Sequence, residues 1–518
     1  MKPHPLARPT FFANASRLWA SGLVLAMAAA RLAASAVPST ETTTIDKELR
    51  EILRAASIRP ALREDLQRPV DPRLNRIETL GLRASGLFTG RRHEARNALE
   101  VQALSLQLKP GDQLILKGND WHDARFVFGG IGTMDEPILV MAEPTTGPFT
   151  GASGIAFHGE HLVIMNLTFR NGTVADAVPA TSAEEPPATN GPVTGVVANL
   201  VRIGAGPDRP ANHCIVNRIT IENVNSPRAE DWPKAITRYL LLNGHDNTVA
   251  NSTFAHLKHY GDVIATGELP SSTPQRLHIL NNHFFDRPRV DEDPSPYRYK
   301  IIQIGWHDLE AAPAGSLVQG NLFEDCASHV ELVSIKASDV FLRNNRFIRC
   351  PGAVTIRMGD RVLIQNNLFD GEDRPATGGL RVAGRDHVII GNTFRHLRPT
   401  EFSQMLPSPK PPTRYLAWTL SLVAADFEHS GATDSAYGRV CDTLISHNRF
   451  EHNTGRIALG TPTPSLSHVA LPPHNVRIEH NVFSGYGEDK SPFDYVCPDT
   501  QSGTSNASFL TYHNRFFP

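Results

Sequence analysis

Asn321-Leu322-Phe323, Asn345-Arg346-Phe347, Asn367-Leu368-Phe369 and Asn392-Thr393-Phe394 follow one another at spacings of 24, 22 and 25 residues. Each copy comes after a β-branched or aliphatic stretch and before a polar turn. Further copies stand at Asn282-His283-Phe284, Asn448-Arg449-Phe450, Asn481-Val482-Phe483 and Asn514-Arg515-Phe516. A period of this size marks a supersecondary unit stacked on its neighbours. The segments between copies, such as Val354-Thr355-Ile356-Arg357 and Val388-Ile389-Ile390, carry the signature of short strands. The pattern therefore predicts an all-β fold, a single-stranded right-handed parallel β-helix (solenoid) with an N-terminal helical extension. Stacking places the phenylalanines inside as a ladder and lets the asparagine amides bond along the stack, where strands lie about 4.8 Å apart. The motif is structural, not catalytic. Weaker, earlier coils are visible at Val163-Ile164-Met165-Asn166-Leu167-Thr168-Phe169 and Val249-Ala250-Asn251-Ser252-Thr253-Phe254.

A chain of 518 residues would ordinarily suggest several domains, but the repeat overrides that expectation. Residues 1–36 read as an export signal: Lys2, Arg8 and Arg17 precede the apolar run from Leu18 to Ala30, and Ala34-Ser35-Ala36 offers a small-residue cleavage site. A disordered extension or a short anchor is the alternative. The run is too short to span a bilayer, Arg31 interrupts its end, and nothing later resembles a span. The expected location is periplasmic or secreted, with no stable membrane association. Residues 37–100 form an extension, helical over 45–56, that caps the first coil, and residues 101–518 form the β-helix domain. Residues 173–194 and 406–413 read as loops projecting from the solenoid. Of five cysteines, Cys441 and Cys497 could pair in an oxidising compartment, and the rest read as small buried side chains.

With 51 Lys+Arg against 53 Asp+Glu, the net charge of -2 excludes a globally basic nucleic-acid binder. An anionic ligand would need a locally basic groove. In a solenoid, outward side chains one coil apart in sequence become neighbours, so Lys336, Arg357 and Arg381, at spacings of 21 and 24, line one face. His329 and Glu331, two apart on one strand, share a face. His447, His480 and His513, at spacings of 33, form another column, read as structural rather than metal-binding.

The chain resembles the polysaccharide lyase family that includes chondroitinase B and many alginate lyases. The resemblance is carried by Lys109-Pro110-Gly111-Asp112, Tyr239-Leu240-Leu241-Leu242-Asn243-Gly244, Val330-Glu331-Leu332-Val333-Ser334-Ile335-Lys336, Val354-Thr355-Ile356-Arg357-Met358-Gly359 and Gly378-Gly379-Leu380-Arg381-Val382-Ala383-Gly384, in this order and at coil spacing. It implies β-elimination on an acidic polysaccharide, alginate or a glycosaminoglycan, with Lys336 as base on the uronate C5 proton, Arg357 assisting and Arg381 binding substrate. The chemistry is sound on its own terms. A C5 proton beside a carboxylate is barely acidic until that charge is neutralised, so a cation must face the carboxylate while a base reaches the carbon. A lysine acts as base only if burial and a neighbouring cation depress its pKa.

The chain departs from the pattern at calcium. Relatives that use the ion bring an asparagine and two glutamates together, whereas here only Glu331 remains and His329 replaces the other glutamate. The expectation is no cofactor, with Arg298, Lys300 or protonated His329 facing the uronate and Glu331 holding a cation in place. An ion site rebuilt from Asp291, Glu292 and Asp293 is the alternative. Rival functions are a dermatan sulfate lyase, a glycoside hydrolase using carboxylates such as Asp360, Asp370 and Asp373, and a non-catalytic carbohydrate-binding β-helix.

Overall fold

The computed structural model describes residues 70–173, 197–206, 208–226, 236–259, 261–267, 273–288, 300–305, 314–328, 331–399, 418–425, 427–429, 437–462, 471–487, 491–495 and 509–517. The export signal, the helix expected at 45–56, the Asp291-Glu292-Asp293 loop and the 406–413 loop lie outside these residues.

Among the described residues the strands fall into three parallel sheets of 14, 13 and 12 strands, and from Ile138–Ala142 onward the coils visit them in the same order. One coil shows the rule: Leu317–Gln319 lies in the first sheet, Leu322–Cys326 in the third, Glu331–Ile335 in the second, and Phe341–Arg343 returns to the first. This is the right-handed parallel β-helix that the repeat predicts. The first strand of the first sheet is Arg92–Ala95, paired with Gln113–Leu116, so the solenoid begins inside the span expected to be extension. The helix Ala98–Ser105 follows, with Val101 fully buried in the apolar core. A second helix, Pro72–Ala84, starts on Asp71, whose side chain accepts the Arg73 backbone N–H. It is tied to the flank of the solenoid by polar contacts: Arg73 Nη2 donates to the His213 carbonyl at 2.7 Å, and Asn217 Nδ2 donates to Glu78 Oε1 at 2.8 Å.

The Asn-x-Phe motif does what its period demands. Asn345 Nδ2 donates to Asn367 Oδ1 at 3.0 Å and to the Val318 carbonyl at 2.9 Å, while its own Oδ1 accepts from Asn321 N and Nδ2. The same bonds continue through Asn392, Asn448 and Asn481 to Asn514. Buried amides are thus satisfied by identical amides one coil away, so the polar turn costs little to bury. Beside them the rings from Phe254 to Phe516 stack at centroid distances of 4.4 to 5.3 Å. The histidine column is part of the same architecture. His447, His480 and His513 stack at 5.1 and 5.0 Å with φ of 55°, 56° and 54°. They fill the left-handed turn position that Asn344 and Asn366 occupy at 55° and 52° in earlier coils. Cys441 is a buried free thiol, as are Cys214, Cys326 and Cys350, and Cys497 lies outside the described residues.

Candidate active site

Lys336 stands directly after the strand Glu331–Ile335 of the second sheet, its backbone N–H donating to the Ile304 carbonyl at 2.8 Å. The Arg357 N–H donates to the Ile335 carbonyl at 2.9 Å, which puts Arg357 at the register of Lys336 one coil on. Thr355 pairs with Arg381, so Arg381 is a further coil away and faces the same side. Gly305, at φ +83°, holds the same register one coil before Lys336; a Cβ there would lie 2.6 Å from the Lys336 carbonyl oxygen. Only glycine lets the two backbones approach so closely.

Glu331 requires more than alternation. Five residues separate it from Lys336, and in a regular strand an odd separation sends two side chains to opposite faces. The pairing of Glu331–Ile335 with Gly352–Ile356 slips between Glu331 and Ser334. A bulge of this kind re-aims a side chain. Glu331 is consequently brought to Arg357, Oε1 lying 3.4 Å from Nη1, with side-chain exposures of 3% and 13%. Glu331 is therefore a buried counter-ion of Arg357.

Burial by itself raises the Glu331 pKa, but Arg357, Lys300 and Lys336 together outweigh it and hold the carboxyl down at about 2. Lys336, partly buried, is pushed the other way for a base. Burial first, then the charges of Lys300 and Arg357, lower its ammonium to about 7, against the opposing pull of Glu331 and Asp262. A lysine in this state is substantially neutral at physiological pH. Lys300, from the preceding coil, is buried at 7% exposure, with Nζ 2.9 Å from Gln303 Oε1 and 3.9 Å from Asp262 Oδ1.

Arg381 is buried at 3% exposure. Its guanidinium carbon lies 4.7 Å from the ring centroid of Tyr437, and that of Arg357 lies 5.4 Å from the same ring. Tyr437, itself buried, thus gives two arginines one aromatic face to rest on. Sequence reasoning missed it because Tyr437 lies between coils, outside any repeat. Arg298 and His329 lie outside the described residues.

The carboxylates that a hydrolase would need are occupied elsewhere. Asp370 is paired with Arg395 at 2.7 Å on the third sheet, Asp373 is bonded to Arg398, and Asp360 accepts the Arg385 backbone N–H at 3.1 Å. Calcium does not fit the described residues around Lys336 either. Glu331 and Asp262 are the carboxylates there, and both share the site with buried cations, whereas calcium normally takes six to eight oxygens. Among the described residues, one cluster has metal-ligand spacing, His213 with His245 and Asp246, and there Arg276 binds both oxygens of Asp246.

The sequence profile of the Chondroitinase B family matches residues 95–494. The chain belongs to this family. Among curated proteins no relative matches. The fold is shared with solved polysaccharide lyases of family 6. A mannuronic acid specific family 6 lyase from human gut microbiota aligns at TM-score 0.66 and 20% identity, over 83% of this chain and 87% of that one. The alginate lyase AlyGC aligns at TM-score 0.65 and 22% identity, over 82% of this chain and 51% of that one. The family 6 lyase of Pseudopedobacter saltans aligns at 0.61 and 18%, over 82% and 92%. Membership of the Chondroitinase B family makes the chain a polysaccharide lyase, as the Lys336 and Arg357 motifs led one to expect.

Proposed function

We propose that this polysaccharide lyase cuts alginate by β-elimination, with Lys336 as the base and Arg357 as its assistant. The observation that supports this most is the Lys336 amine, lowered to about 7 and set one coil from a guanidinium. In the proposed step the C5 proton moves to Lys336 Nζ, the electron pair left on C5 forms the C4–C5 double bond, and the C4–O bond breaks. The leaving oxygen takes up a proton from water. Arg357 neutralises the substrate carboxylate, and Arg381, braced on Tyr437, binds the neighbouring stretch of the acidic chain.

Alginate is favoured because the solved structures that share the fold include lyases described as acting on alginate or mannuronic acid. A dermatan-type glycosaminoglycan is the second reading, favoured by the family's own name. The test is a panel of polymannuronate, polyguluronate, mixed alginate and dermatan sulfate, followed by ultraviolet absorbance of the unsaturated uronate. Cleavage of an alginate polymer ahead of dermatan sulfate is expected, and the reverse order would overturn the substrate assignment. We further propose that the chain is exported to the periplasm or medium, since residues 1–36 have the charged, apolar and small-residue segments of a signal. Mass spectrometry of the mature N-terminus tests this.

A further inference from the structure

We propose that Lys300 supplies, from inside the protein, the positive charge that relatives take from calcium, so that this enzyme works without a metal. The inference rests on the lyase reading above, and it starts from the disagreement between the site and a calcium ion.

Lys300 is built into the coil before that of Lys336. Its backbone N–H donates to Asp262 Oδ1 at 3.1 Å, and its carbonyl accepts from Val263 at 3.3 Å. The side chain, 9% exposed, runs to Gln303 Oε1 at 2.9 Å, and the Asp262 carboxylate lies 3.9 Å from the ammonium. Gln303 pairs with Ser334, two residues before Lys336, so the lysine and its amide partner sit alongside the strand that carries the base. The positive charge of Lys300 acts on both Glu331 and Lys336.

The charges account for the arrangement. Among the described residues, Glu331 and Asp262 contribute two negative charges and Lys300, Arg357 and Arg381 three positive ones, with Lys336 neutral when it acts as base. The described cluster therefore carries an excess of positive charge before substrate arrives, which suits an incoming carboxylate. A divalent ion added to it would meet that positive charge and would find, among the described residues, too few oxygens. A buried, hydrogen-bonded cation is also preorganised: it stays in place when the uronate arrives, as electrostatic stabilisation of developing charge requires. Lys300 has a second effect, because its charge helps hold the Lys336 ammonium down. One residue thus favours the neutral base and adds to Arg357 in offsetting the substrate carboxylate.

The test uses the full chain, wild type and two variants, Lys300→Met and Lys300→Arg. After exhaustive dialysis against EDTA, the wild type is expected to keep kcat/KM within about twofold, and added calcium to leave it unchanged. Calcium titrated calorimetrically into the stripped protein should give no stoichiometric binding. Lys300→Met is expected to lower kcat/KM by about 100-fold, the scale on which a single preorganised group stabilises developing charge. It should also move the titration of Lys336, followed by NMR of isotopically labelled lysine, to higher pH. Lys300→Arg keeps the charge and should leave that titration closer to wild type, which separates charge from packing if the methionine variant is unstable. Activity lost to EDTA and restored by calcium, or a Lys336 titration unmoved in both variants, would overturn the proposal. If no polymer is cleaved at all, the lyase reading falls, while calorimetry and NMR still decide whether Lys300 stands in for a metal.

Discussion

Arg357 and Glu331 face each other across one coil, Nη1 to Oε1 at 3.4 Å, with the carboxylate the more deeply buried of the two. Glu331 also feels Lys300 and Lys336, so this one carboxylate faces several cations. Replacing it by the isosteric Glu331→Gln leaves those cations without their counter-charge. Breaking a buried pair on one side costs about 3 kcal/mol or more, which denaturant unfolding will read. Glu331 opposes the depression of Lys336, so its loss should also shift the Lys336 titration to lower pH.

The pH dependence of the wild type follows from the same group. Lys336 works as a base only when neutral, and its pKa lies at about 7 rather than in the usual lysine range. Turnover should therefore rise with pH through a limb near 7 in kcat/KM. A limb near 10 would mean that the site does not depress this lysine.

Arg357→Lys keeps the charge but loses the planar fork that grips a carboxylate. The guanidinium also rests near the Tyr437 ring at 5.4 Å, a contact that a lysine ammonium reproduces poorly. A loss of about 100-fold in kcat/KM is expected from steady-state kinetics. Near-wild-type activity would show that Arg357 supplies charge alone.

The asparagine ladder is the buried polar part of the solenoid's stability. Asn345→Ala removes the acceptor for Asn321 and the donor to Asn367 and the Val318 carbonyl in a fully buried position. Leaving those partners unsatisfied should cost about 3 kcal/mol, measured by denaturant unfolding, with the Lys336 titration unmoved.

These residues also show how much the sequence displays by itself. The Asn-x-Phe spacing predicts the coil, and coil spacing then predicts that Lys336, Arg357 and Arg381 share a face, because stacking turns sequence period into proximity. The burial of Glu331 is hidden, since it depends on a slip in register that no local pattern announces. Tyr437 is hidden for a different reason: it follows the strand Leu420–Ala424 in a stretch of sequence that carries neither the period of two nor the coil repeat. The strand Arg92–Ala95 is short and largely polar, so nothing in its composition marks it as the start of the first sheet. Lys300 is visible as a candidate cation, but its burial against Asp262 and Gln303 emerges only when the coils are stacked.

The most direct test of the central claim compares wild type with Lys336→Ala on alginate, following the absorbance of the unsaturated uronate beside the release of reducing ends. The account predicts that the wild type yields both signals in equal amounts. It predicts that Lys336→Ala loses about 1000-fold or more in kcat while its unfolding midpoint stays close to wild type. Reducing ends without the unsaturated product, or a Lys336→Ala variant that retains more than about a tenth of the turnover, would contradict it.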